Sequence, residues 1–211
     1  MNDWVLYIAR GSLTTLAYAS LSCGFGLCVA FCLVGLKFSK IRLLEIFSAI
    51  YVSIFRGTPI IVQLSMIYFA LPMVTGCDIS AFTSGIIAFS LNSGAYLSET
   101  IRTGILSVDK GQKEAALALG LSKKLIMKDI ILPQALRNIL PALVNEVINL
   151  LKESAIMSII GESDIMRRAQ IVAAAEYSYF APYLVAALCY YILVLILTFF
   201  AKLLENKLKI L

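Results

Sequence analysis

The chain has 211 residues, of which 60% are apolar and 15% charged, with a formal net charge of +5. An ordinary soluble domain is about 45–50% apolar and about 25% charged, so the totals exclude a soluble enzyme and a disordered chain. At about 20 apolar residues per transmembrane helix, the length holds roughly five or six spans and leaves little room for a separate extramembrane domain.

The first charge-free run covers 11–36, begins after Asp3 and is followed by Lys37, Lys40 and Arg42. A cleaved secretory signal has a basic start and an apolar stretch of about 7–15 residues, so this run reads as a retained first span. A second span is expected over about 46–72, with Arg56, Gly57, Thr58 and Pro59 marking a break or kink inside it. A third covers about 81–106 and carries Glu99 and Arg102 in its later half. The segment 107–129 is too charged for hydrocarbon, yet Ala115 to Leu119 have high helix propensity. It reads as one or two short interfacial helices broken at Gly120. The fourth span, about 130–151, is unusually polar, with Pro133, Gln134, Arg137, Asn138, Pro141, Asn145, Glu146 and Asn149. A mixed segment over 152–176 leads to the last span, about 178–201, which is followed by Lys202, Lys207 and Lys209. The expected architecture is an all-α polytopic membrane protein, one domain over 1–211, with five spans and no internal repeat.

Basic residues orient it. Twelve of the 18 Lys and Arg fall on 37–45, 102–128 and 202–211, against four on 1–10, 73–80 and 152–177. Positive residues mark the cytoplasmic side, so the N-terminus is expected outside, the C-terminus in the cytoplasm, and the 107–129 loop cytoplasmic.

The chain has no histidine, which removes histidine-based catalysis, histidine-ligated zinc and histidine proton relays. Its five cysteines, Cys23, Cys28, Cys32, Cys77 and Cys189, form no CxxC pair and read as small hydrophobes. There is no GxxxxGK[ST] phosphate loop. The chain is therefore expected to be no enzyme and to hold no metal or cofactor, and any ATP must be bound by another chain. The modest basic charge has no soluble face to present to nucleic acid.

Polar residues recur inside two spans. Asn92, Tyr96, Glu99 and Thr103 are spaced four, three and four, on one side of a helix. Asn138, Asn145, Asn149 and Lys152 form a similar stripe, with Glu153 beside it and Glu146 at its edge. One reading is interhelical hydrogen bonding in a bundle. The other is a lined solute path through Asn92, Tyr96, Glu99, Asn145, Asn149 and Glu153, because intramembrane charges are costly and tend to face water or protein. Glu153 can equally pair with Lys152. Arg56 either snorkels to headgroups or serves a gate or partner contact. Glu99, Glu146 and Glu153 outnumber clearly intramembrane cations, which hints at a cationic amino acid such as arginine, lysine or histidine. Glutamine and glutamate stay open.

The charged loop reads Glu114-Ala115-Ala116, three residues, Gly120, nine residues, Ile130, one residue, Leu132-Pro133. This resembles, without gaps, the EAA loop of ABC importer permeases. Arg56-Gly57-Thr58-Pro59, Gln63, Tyr68-Phe69 and Leu71-Pro72 continue the likeness, as do Glu99, Arg102, Gly104-Ile105, Gly111-Gln112 and Pro133-Gln134-Ala135. Over roughly 10–205 the chain resembles the histidine/glutamine/arginine group of polar amino acid permeases. One departure follows Lys152. The group often has an acidic residue and Thr-Ser-Leu there; this chain has Glu153-Ser154-Ala155-Ile156.

The resemblance implies a type I ABC importer permease subunit that moves polar amino acids across the bacterial cytoplasmic (inner) membrane. It implies ATP-binding ATPase subunits, a second permease subunit (identical or homologous), an extracytoplasmic amino-acid-binding protein and surrounding membrane lipid as partners. Glu114, Ala115, Ala116, Gly120 and Pro133 would couple to the ATPase. Gly120 supplies a sharp turn, and Pro133 is expected to fix where the next helix begins. Two other readings are an ion-driven secondary amino acid transporter, disfavoured by the lack of repeats, and a non-transporting membrane assembly subunit.

Overall fold

A computed structural model describes residues 3–209. Of the expected 1–211 domain, residues 1, 2, 210 and 211 lie outside the described residues. All regular structure among the described residues is helical: α1 (Asp3–Lys37), α2 (Arg42–Gly57), α3 (Ile60–Thr75), α4 (Ala81–Leu106), α5 (Lys110–Ala118), α6 (Leu132–Glu153), α7 (Ile165–Ala175) and α8 (Phe180–Lys209). A short turn at Lys123–Leu125 and a π-helical stretch at Ile126–Ile131 run directly into α6.

By length and apolarity, α1 and α8 qualify as membrane spans, and the α2–α3 pair adds a third if it is one broken span. The polar helices α4 and α6 fall short of that test because their Asn, Ser and charged residues lower their hydropathy. Burial explains how α4 tolerates its polarity. Ser84, Ser90, Asn92, Ser93 and Ser98 are all buried against neighbouring helices.

Helix α1 is the spine of the bundle, and it lies close to α4 because both present small residues. A Cβ added at Gly26 would sit 3.1 Å from the Ser93 Cβ, and one at Gly94 would sit 2.5 Å from Val29. Lipid offers no hydrophobic incentive for helices to associate, so close backbone approach of this kind is a main source of cohesion. Three apolar clusters follow. Tyr18, Leu64, Phe89, Leu150 and Met157 join α1, α3, α4 and the end of α6. Ala30, Leu97, Ile101, Ala135 and Ile139 join α1, α4 and α6 nearer the charged loop. Ile8, Ile165, Ala169 and Ala186 join α1, α7 and α8.

The chain turns by 102° between α2 and α3. Pro59 has no N–H to continue the ladder and disfavours helical backbone at the residue before it; Thr58 is accordingly extended, at φ −119° and ψ 143°. Two buried amides bind the break. Gln63 Nε2 donates to the Phe55 carbonyl at 3.0 Å, the Thr58 carbonyl at 3.1 Å and the Thr58 hydroxyl at 2.8 Å. Asn92 Nδ2 on α4 donates to the same Phe55 carbonyl at 3.1 Å and to Gln63 Oε1 at 3.0 Å.

Two features add to the sequence reading. Pro133 stands in the first turn of α6, but the chain ahead of it is already helical from Lys123. It sits at the change from π to α winding. The mixed segment 152–176, to which the sequence assigned no element, is largely helical. Ser154–Ile160 form a 3₁₀ turn, and α7 tucks into the bundle with Ile165, Ala169 and Ala173 fully buried.

Candidate functional site

The charged loop folds around a glycine hinge. Asp109 caps α5 by accepting from the Gly111 N–H at 2.5 Å. At the other end Gly120 takes φ 80°. The Gly120 N–H donates to the Leu117 carbonyl and the Leu121 N–H to the Ala116 carbonyl, at 3.0 and 3.1 Å. This is a Schellman ending, which needs a left-handed residue at that position. Ala116 then packs with Ile126 and Ile131 in a small core, while Glu114 and Ala115 stay exposed. Leu119 is 81% exposed at the tip. Within the EAA triplet, therefore, one alanine anchors the helix and the other two residues face outward.

Two amides tie this loop to the bundle. Gln134 Nε2 on α6 donates to Gln112 Oε1 at 2.6 Å, and Gln112 Nε2 donates back to Gln134 Oε1 at 3.2 Å. Gln134 also holds the Ile130 carbonyl at 2.8 Å. Asn138 Nδ2 donates to the Ser107 hydroxyl at 2.8 Å, joining α6 to the end of α4. Gln112 and Gln134 appear in the motif likeness, but nothing in their types or spacing marks them as a pair. The groove between α4, α5 and the π stretch has a volume of about 510 Å³ and is lined in part by Phe38, Leu106, Lys113, Glu114 and Met127.

The two polar stripes do not face each other within one chain. The α4 stripe turns towards α2 and α3. Asn92 is 7% exposed and spent on the Phe55–Gln63 clamp. Tyr96 is 41% exposed, with the Arg56 guanidinium 5.3 Å from its ring centroid. Glu99 is gripped by Arg102, whose Nε donates to Oε2 at 2.9 Å and whose Nη2 donates to Oε1. Arg56, Glu99 and Arg102 line a cavity of about 370 Å³ together with Lys37 and Ser53. The α6 stripe is separate. Asn145, Asn149 and Glu153 are exposed on the outer surface of this chain, and Asn149 and Glu153 line a shallow pocket with Lys152 and Ile156. Lys152 and Glu153 form no ion pair within the described residues. Glu146 lies between the stripes, half-buried and facing Ser93. Gly57, Thr58 and Pro59 form the α2–α3 corner itself.

A polar anchor that the sequence does not advertise fixes α7. Asp164 is fully buried. One carboxylate oxygen accepts the Arg167 N–H at 2.8 Å and the other accepts the Tyr190 hydroxyl at 3.0 Å. Tyr190 lies ten residues into α8, about 15 Å along it. Arg168 stacks over the Tyr7 ring at 4.8 Å and donates to the Tyr7 carbonyl at 3.2 Å. Gly11 permits the approach, since a Cβ there would lie 2.6 Å from the Ile165 nitrogen.

Known proteins resemble the chain along its whole length. Residues 23–210 match the family described as the binding-protein-dependent transport system inner membrane component. A putative glutamine transport system permease protein of Rickettsia felis is 57% identical over 96% of this chain and 93% of its own. An arginine transport system permease protein of Bacillus subtilis is 49% identical, with the same coverages. A crystal structure of an amino acid ABC transporter with histidines has a chain 40% identical to this one. It superposes with a TM-score of 0.93 over 97% of this chain and 95% of that one.

Proposed function

Since the chain belongs to the family of binding-protein-dependent transport system inner membrane components, we propose how its geometry serves that work. It is the membrane permease subunit of an amino acid ABC importer, a transport component of the inner membrane whose ATPase is a separate subunit. Family membership brings ATPase and binding-protein partners with it.

The ATPase takes the outward side of α5, with Glu114, Ala115 and Leu119 as contacts and Ala116 as the anchor beneath. Gly120 sets the angle of the tip. A push on α5 reaches α6 through the Gln112–Gln134 pair and the Ala116–Ile126–Ile131 core, and reaches α4 through Asn138 and Ser107. Because α4 and α6 share the Leu97–Ile139 core, the spans tilt together and access alternates from one side to the other.

A second permease, identical or homologous, packs beside this one about a two-fold axis. The supporting observation is the exposed α6 stripe. Amides and a carboxylate on the surface of a membrane helix call for water or protein, not lipid, and a second permease encloses them in a hydrated path. We place solute contact at Asn145, Asn149 and Glu153; Tyr96 belongs to the separate α4 stripe, beneath Arg56. Asn92 supports the corner and lies behind that surface. With Glu99 committed to Arg102, only Glu146 and Glu153 are left to favour a cationic solute. The glutamine and arginine named among the relatives support a polar amino acid as the class. The N-terminus lies outside and the C-terminus in the cytoplasm.

The observation that carries the coupling role is Leu119, an exposed leucine at the tip of a helix whose opposite side is anchored. The test is Leu119→Ala and Glu114→Ala in the reconstituted importer. Solute-stimulated ATP hydrolysis is expected to fall in both while the permease still folds. Unchanged stimulation in both would remove the docking assignment.

A further inference from the structure

The cavity between α1, α2 and α4 contains more positive charge than its walls use. Glu99 is already held by Arg102 through two hydrogen bonds. Arg56 and Lys37 face the same carboxylate from α2 and from the end of α1. Among the described residues, neither forms an ion pair or donates a side-chain hydrogen bond to protein. Arg56 lies over the Tyr96 ring, 5.3 Å from its centroid, a cation–π contact that uses none of its five N–H donors as a hydrogen bond to another side chain. Three cations and one carboxylate thus meet in about 370 Å³, an excess of two charges.

The surroundings of the cavity are apolar and exposed. On α2, Leu43, Phe47, Ile50 and Ile54 recur at spacings of four, three and four, all exposed and opposite Ser48. The Ser48 hydroxyl is turned inward onto the Leu33 carbonyl at 3.0 Å. Phe31 and Phe38 on and beyond α1 are also exposed. An apolar helix surface beside a cationic cavity, where a membrane-spanning helix ends, suits an amphiphile with a negative head. Basic pockets between helices on the cytoplasmic side take anionic lipid headgroups on this principle.

We infer that this cavity is a binding site for the phosphodiester headgroup of an anionic phospholipid. Arg56 and Lys37 hold the phosphate, and the acyl chains lie along α2. The cytoplasmic leaflet as the source rests on the orientation proposed above. Headgroup binding does not, so an inverted chain would show the same lipid preference with the leaflet exchanged.

The test uses the permease assembled with its ATPase in nanodiscs of mixed phosphatidylglycerol and phosphatidylcholine. Native mass spectrometry reads the retained lipid. The parent is expected to retain phosphatidylglycerol preferentially. Each cation near an anionic headgroup is worth about fivefold in affinity, so Lys37→Gln with Arg56→Gln should cut the preference about 25-fold. Lys37→Gln alone should cut it about fivefold, which keeps the test available if the double variant does not assemble. Arg42→Gln, outside the cavity, should leave the preference intact. Equal retention in the parent and the double variant overturns the site. Displacement of the lipid by excess inorganic phosphate also overturns it, by assigning the cavity to a soluble anion.

Discussion

At Gly120 the backbone takes φ 80°, and a Cβ built there meets no neighbouring atom. The obstacle to substitution is the backbone alone, worth about 1–2 kcal/mol for an L-residue held in the left-handed region. Asparagine adopts that region more readily than alanine. Gly120→Asn is therefore expected to keep more solute-stimulated ATPase activity than Gly120→Ala; equal losses would mean that something other than the turn is at stake. At the α2–α3 corner, by contrast, the cost lies in orphaned amides. Removing Asn92 leaves Gln63 Oε1 without its donor, and removing Gln63 leaves the Thr58 carbonyl without its donor and Asn92 with only its bond to the Phe55 carbonyl. A buried polar group left unpaired costs about 1–3 kcal/mol. Both Asn92→Ala and Gln63→Ala should lower the thermal midpoint of the purified permease. The double variant should lose less than the sum, because the two residues share one network. Strict additivity would show that the clamp is not a unit.

At the level of elements, α5 is joined to α6 by an exposed pair of glutamines and a three-residue core. A net hydrogen bond is worth about 0.5–1.5 kcal/mol, and less where water competes. Gln112→Ala and Gln134→Ala should leave thermal stability nearly unchanged while weakening the stimulation of ATP hydrolysis by solute. Their effects on stimulation should be non-additive. Independent effects would indicate that α5 moves α6 through the Ala116 core alone. The existence and order of these elements were legible from apolar run length and from the charged interruption at 107–129. The break near Pro59 was legible for the same reason, since proline acts locally. Less local features were not. Periodicity put Asn92, Tyr96 and Glu99 on one side of α4 but could not say that this side meets α2, because a stripe does not name its partner. Pro133 marks the start of α6, but the missing N–H says nothing of the π winding that precedes it. Asp164 looked like one acid in a mixed segment, since its partner Tyr190 is 26 residues away on α8.

For the whole molecule, the issue is which surfaces meet lipid, water or another chain. Leu188, Ile192, Leu195 and Phe199 on α8 are exposed and wholly apolar, as lipid contact requires. Asn145 and Asn149 on α6 are also exposed, yet each carries an amide with no hydrogen-bond partner among the described residues. In hydrocarbon such groups would stand unsatisfied at a cost of several kcal/mol each. In a water-filled path shared with a second permease they cost little. The two situations differ in reactivity towards a membrane-impermeant thiol reagent. The parent chain has exposed cysteines at positions 28, 32 and 77, so the measurement needs a background with all five cysteines replaced. In that background, Asn145→Cys and Asn149→Cys are expected to react in the assembled importer, and saturating solute should slow them. Leu188→Cys and Ile192→Cys at comparable exposure should stay inert. Orientation is read in the same sealed vesicles, with Tyr177→Cys reacting from the outside and Leu119→Cys only after the inside is opened. Inert cysteines at both α6 positions would mean that the stripe is covered by dry protein. The exposed amides would then be interhelical hydrogen bonders, and solute would have to pass elsewhere.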